Sequence, residues 1–124
     1  MARLARRIGV LVSLTAASVA LSSCGNGGAV ADARLSCRYV HQALALQARS
    51  EAPGITASSR SALRADAMSA LLKATPAAAA ATSMDGSWNP LMTTINEAER
   101  VPLQDLVASL TRLCQVADSS TPYL

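Results

Sequence analysis

The side chains that could do nucleophilic, redox or metal chemistry in this chain are few: Cys24, Cys37, Cys114 and a single histidine, His41. Any Ser-His-Asp or Cys-His relay has to run through His41, and no Gly-x-Ser-x-Gly elbow presents a nucleophile to it. Cys37 and His41 have the helical spacing of two metal ligands, but no third ligand accompanies them. Tyr39 and His41 are residue types that serve as axial haem ligands. With two Tyr, one Trp and no Phe in the whole chain, however, a haem pocket would lack its usual aromatic walls. Together these residues predict no enzyme, no metal site and no cofactor.

Cys24 stands in a different context. Met1 to Arg7 contains Arg3, Arg6 and Arg7 and no acid, and Ile8 to Leu21 is apolar apart from Gly9, Ser13, Thr15 and Ser18. That is the charged region and apolar region of a signal peptide. As a helix the apolar run would rise about 21 Å, short of the roughly 30 Å of a bilayer's hydrocarbon. Its end, Leu21-Ser22-Ser23-Cys24, resembles the lipobox of bacterial lipoproteins. The resemblance implies that residues 1–23 are removed and that the Cys24 thiol carries diacylglycerol, with fatty chains such as palmitate. It also implies tethering to the extracytoplasmic face of the cell membrane. Two acyl chains, at about 0.8 kcal/mol per buried CH₂, anchor durably where one does not. The same resemblance accounts for the odd cysteine count. With Cys24 committed to lipid, Cys37 and Cys114 remain to form a disulfide in an oxidising compartment. It covers residues 1–24 only and is silent on the task of the remainder.

The elements that must position these groups are helical. Ala contributes 26 residues and Leu 16, a composition that favours helix. Residues 24–31, the lipidated cysteine followed by a Gly-rich stretch, are expected to form a flexible tether. From Asp32 as cap, Ala33, Cys37, Val40, Leu44 and Ala48 recur at helical spacing until Pro53-Gly54. A second stripe, Leu63, Ala67, Ala70, Leu71 and Ala74, follows a cap at Thr56, Ser58 or Ser59. Thr75-Pro76 then either opens a new turn over Ala77 to Ala81 or lies inside the same helix. After the turn-forming Asp85-Gly86-Ser87, Asn89-Pro90 starts a short third helix with Leu91, Ile95 and Ala98. Pro102 starts a fourth, with Leu103, Leu106, Val107, Leu110, Leu113 and Cys114 on one face. Residues 119–124 form a polar tail. The expected fold is thus a small all-α antiparallel bundle of about four helices over residues 32–118. In such a bundle the beginning of the first helix and the end of the last meet, which places Cys37 beside Cys114.

Charge narrows the partners. Net charge is +3 for the whole chain, but Arg3, Arg6 and Arg7 account for the excess, and from Cys24 onward eight basic residues face eight acidic ones. A nucleic-acid partner would require a cationic surplus that this part lacks. Residues 24–76 carry a net +3 and residues 77–124 a net −3, which predicts complementary faces of one bundle. The functional version of that split is a basic surface made by Arg34, Arg38, Arg60 and Arg64, with Arg49 near them, touching anionic headgroups beside the anchor. Trp88 is expected to anchor the corner between the second and third helices. Arg outnumbers Lys ten to one, which with heavy Ala use suggests a GC-rich bacterium such as an actinobacterium. The expected function is that of an envelope lipoprotein whose domain binds a ligand or another envelope protein. The alternatives are a small-ligand or haem carrier, since the architecture resembles that of mycobacterial haemophore-type proteins without their local aromatic pattern, or an accessory subunit of an envelope enzyme or transporter.

Overall fold

The computed structural model describes residues 26–119. They form α1 (Asn26–Ser50), α2 (Ala57–Met84), a 3-10 turn (Gly86–Trp88), α3 (Asn89–Glu97) and α4 (Leu103–Asp118), with no strand among the described residues. The all-α bundle is therefore present, and its helices run alternately up and down. Leu21, Ser22, Ser23 and Cys24 lie outside the described residues, as does the end of the tail.

A long antiparallel hairpin of α1 and α2 is the backbone of the molecule. Its register is marked at three levels: Ser50 and Arg60 meet at one end, Ser36 and Ala74 in the middle, and Gly28 and Met84 at the other. On α1 the buried seam is Ala29, Ala33, Ser36, Val40, Ala43, Gln47 and Ser50; on α2 it is Ala67, Leu71, Ala74, Ala78 and Ala81. Both sets alternate steps of four and three, the seven-residue repeat of helices that supercoil left-handedly. Because so many seam positions are Ala or Ser, the two axes can approach at the low end of the usual range of about 8–10 Å. Ser36 is compatible with this seam because its hydroxyl donates to the Ala74 carbonyl at 3.0 Å. The Ser50 hydroxyl likewise donates to the Gln47 carbonyl at 2.6 Å.

Two features depart from the sequence expectations. The first helix begins at Asn26 rather than Asp32, and Ala29 and Val30 are buried, so most of the stretch expected as tether is helix. Gly27 and Gly28 have poor helix propensity, but packing against the end of α2 outweighs it. Gly28 lies against the Met84 side chain, whose methyl would be 2.9 Å from a Cβ placed there, a contact that the exposed, flexible methionine can relieve by moving. Further along α1, Ala48 is exposed and Leu44 only half-buried, while Gln47 and Ser50 are buried instead. The seam follows the helix period through polar residues, which a search for apolar types steps around.

Pro76 lies inside α2, which continues unbroken to Met84, so the Ala77 to Ala81 run is part of the second helix. Lacking an N–H, Pro76 leaves the Leu72 carbonyl without its helical donor, and its own ring is exposed. Thr56 is the N-cap of α2, accepting from the Ser59 amide at 3.1 Å, and Gly54 turns the preceding loop with φ +80°. At the other end Asp85 accepts from the Ser87 amide at 2.9 Å and starts the 3-10 turn. Trp88, closing that turn, is buried, and its Nε1 is a buried donor with no acceptor among the described residues.

The second pair of helices completes the core. Leu91, Ile95 and Ala98 of the third helical unit are buried together with Leu103, Leu106, Leu110, Cys114 and Ala117 of α4. Val107 and Leu113, expected on the same stripe, are half-buried at its margin. No described helix is long and apolar enough to cross a membrane.

Candidate functional site

Cys37 and Cys114 form a disulfide, with an S–S distance of 2.06 Å and Cα atoms 5.4 Å apart. Both residues are fully buried. Because α1 starts early, Cys37 lies near the middle of that helix, and the bond ties the end of α4 there. Two further contacts reinforce the tie. The Arg34 guanidinium donates from Nε to the Ala117 carbonyl and from Nη2 to the Ser119 carbonyl, both at 2.8 Å. These are carbonyls from the end of α4 and just beyond, where unsatisfied acceptors and the negative end of the helix dipole favour a cation. His41 Nε2 and Asp118 Oδ2 are 2.7 Å apart, with both side chains about half exposed.

The four arginines expected to form one basic surface are therefore divided. Arg34 closes the end of α4, and Arg60 donates to the Ser50 carbonyl at 3.1 Å and so closes the end of α1. Both guanidinium groups have structural work that competes with headgroup binding. Arg38 is exposed, and Arg64 lines a cleft on another side of the hairpin. The charge split is expressed, at Arg34, as a cation from the basic half satisfying carbonyls of the acidic half.

His41 is engaged by Asp118, but its other ring nitrogen bonds no hydroxyl or thiol among the described residues, so the pair lacks the nucleophile of a triad. Tyr39, two residues away, projects from a different side of α1 and packs on the core, so the two do not converge on one axial position. No three His, Cys, Asp or Glu side chains among the described residues are grouped to hold a metal ion.

The cleft was not foreseen from the sequence. It has a volume of about 310 Å³ and is lined by Gln47 of α1, Arg64 and Met68 of α2, and Pro102, Leu103 and Gln104 at the start of α4. Gln47 is 4% exposed, and its one side-chain hydrogen bond runs from Nε2 to Glu51 Oε1 at 2.8 Å. Arg64 has no hydrogen-bond or ion-pair partner among the described residues. The start of α4 has Pro102 in the cap position and no side-chain cap. A second groove of about 290 Å³ lies between α1 and α2, with Asp66 and Lys73 on its wall, so charge of both signs meets there. The sequence signal for the first cleft was Gln47 itself, a polar residue one heptad beyond Val40 on the seam.

No protein-family model, no curated protein and no solved structure matches this chain.

Proposed function

We propose that this chain is an envelope lipoprotein, anchored through diacylglycerol on Cys24 to the outer face of the cytoplasmic membrane, whose helical domain serves as a binding module rather than an enzyme. One observation carries the reading: Cys37 and Cys114 are joined in a buried disulfide, so the cysteine left over is the one at the end of the Leu21-Ser22-Ser23-Cys24 motif. The disulfide also fits an oxidising compartment beyond the cytoplasm. Since α1 starts at Asn26, the path from Cys24 to the first helical residue is at most about 7 Å. The anchor then holds the hairpin end near Gly28 and Met84 close to the headgroups. Of the basic set, Arg38 is exposed and makes no hydrogen bond or ion pair among the described residues, so its charge is not committed to a helix end as those of Arg34 and Arg60 are.

The test is Cys24→Ala expressed in the producing bacterium beside wild type. Wild type should sediment with membranes and leave them only in detergent. The variant should keep its signal segment and carry no lipid. Lipid on the variant, or wild type in the soluble fraction, would contradict the proposal.

A further inference from the structure

On the face of the α1–α2 hairpin turned away from α4 lies the groove of about 290 Å³ lined by Gln42, Leu46, Asp66, Ser69, Ala70 and Lys73. All six residues belong to the hairpin. Leu46 stands nine residues from Cys37, which bonds to α4, and on a helix that spacing is the opposite azimuth. We infer that a second copy of this chain docks on this groove, with the two α2 helices antiparallel about a twofold axis at the level of Ser69 and Ala70.

Two charges carry the inference. Asp66 and Lys73 are both exposed, and neither makes a hydrogen bond or ion pair among the described residues. Being seven residues apart they lie nearly in line along α2, and the rise of about 10 Å between them is too great for them to pair with each other. They are opposite in sign and equidistant from the point between Ser69 and Ala70. An antiparallel copy of α2 therefore brings Asp66 of each chain opposite Lys73 of the other, and the surface is complementary to itself, as a twofold interface requires. A parallel copy in the same register would set like charges opposite each other, so the pair also selects direction. No other charged side chain lines the groove to compete with this register. Exposed ion pairs contribute little affinity, and apolar contact has to supply the rest. Ser69 and Ala70 flank the line of charges with small side chains that let a helix approach closely. Leu46 and Tyr39, one heptad apart on α1 and both half-buried, offer apolar surface on the same side.

Lys73 is the chain's one lysine, so zero-length carbodiimide coupling gives a direct test. It is applied to the full chain isolated from the producing cell, with isotope-labelled and unlabelled copies mixed in neutral detergent and micelles in excess over protein. The expected product is an interchain amide between Asp66 and Lys73. Sedimentation equilibrium in the same detergent should show a dimer with a Kd of about 100 µM or below. Asp66→Lys and Lys73→Asp should each weaken the dimer at least about fivefold, because each sets like charges together at both ends of the contact. An equal mixture of the two variants, and a chain carrying both changes, should each recover the wild-type Kd to within about twofold. Misfolded variants would give no such rescue. A protein that stays monomeric at about 1 mM would overturn the inference. So would a cross-link to another carboxylate, undiminished association of the single variants, or no recovery in the mixture. Coupling of Lys73 in intact cells to a different protein instead of a second copy would overturn it as well. None of these measurements depends on the fate of Cys24, so this inference and the anchoring proposal can fail separately.

Discussion

Arg34 shows how a residue's address can differ from what its type suggests. In the sequence it is one of several cations on a basic half; in the fold it closes the end of α4 with two hydrogen bonds at 2.8 Å. Hydrogen bonds from a charged donor contribute roughly 1.5–3 kcal/mol when buried. Here one is part-buried and one exposed, so Arg34→Gln should cost about 1–2 kcal/mol, or several degrees in Tm for a domain of this size. Arg38→Gln, at an exposed neighbour on the same helix, should stay within about 0.5 kcal/mol. Thermal melts of the two variants check this, and equal effects would show that Arg34 is not a cap. Such a role was illegible beforehand because it depends on which carbonyls end up nearby, and those lie 83 and 85 residues away.

At the scale of elements, the sequence was most informative where apolar residues and turn chemistry agreed. The third and fourth helices, with Pro90 and Pro102 near their starts and Leu91, Ile95, Leu106 and Leu110 inward, lie where their stripes predicted. The first helix was legible in its middle and misread at its ends, since Gly27-Gly28 resembled a linker and Gln47 and Ser50 concealed the seam. Pro76 was ambiguous for a different reason: a cap-then-proline signature says nothing about whether packing can carry a helix through it. The Ala seam on both sides of Pro76 does so, at the expense of the Leu72 carbonyl. Pro76→Ala should therefore restore a helical hydrogen bond and stabilise the domain by about 2 kcal/mol, after allowing for the freer unfolded chain. A rise in denaturant midpoint with unchanged slope is the expected result. A fall would mean that the ring itself contributes packing.

For the molecule as a whole, the disulfide compensates for a lean core. Most seam residues are Ala, each burying little apolar area, and Trp88 is the one buried aromatic residue among those described. Closing a loop with sequence separation 77 stabilises by about 4.5 kcal/mol in the chain-entropy description, a large part of the stability of an ordinary small domain. Replacing Cys37 and Cys114 together with Ser should remove about 2–5 kcal/mol. Trp88, the chain's single Trp, gives a local probe of the corner for comparison with helix content by circular dichroism. Both signals should shift to the same lower midpoint if the domain unfolds as one unit. An unchanged midpoint would show that the Ala seam suffices alone. The bundle and its cysteine pairing were thus legible from pattern and topology, whereas the cleft was not. It arises from the way α4 begins across Gln47 and Arg64, a tertiary juxtaposition of which the sequence carries only one trace, the polar Gln47 on the seam.

In the proposed reading the three cysteines have two fates: Cys37 and Cys114 are joined to each other, and Cys24 is joined to lipid. The intact mass of the protein extracted by detergent from membranes of the producing cell, taken before and after reduction without alkylation, tests both fates at once. The expected species begins at Cys24, carries diacylglycerol at the least, and gains two hydrogens on reduction. A chain with unmodified Cys24, or one whose mass does not change on reduction, would contradict it.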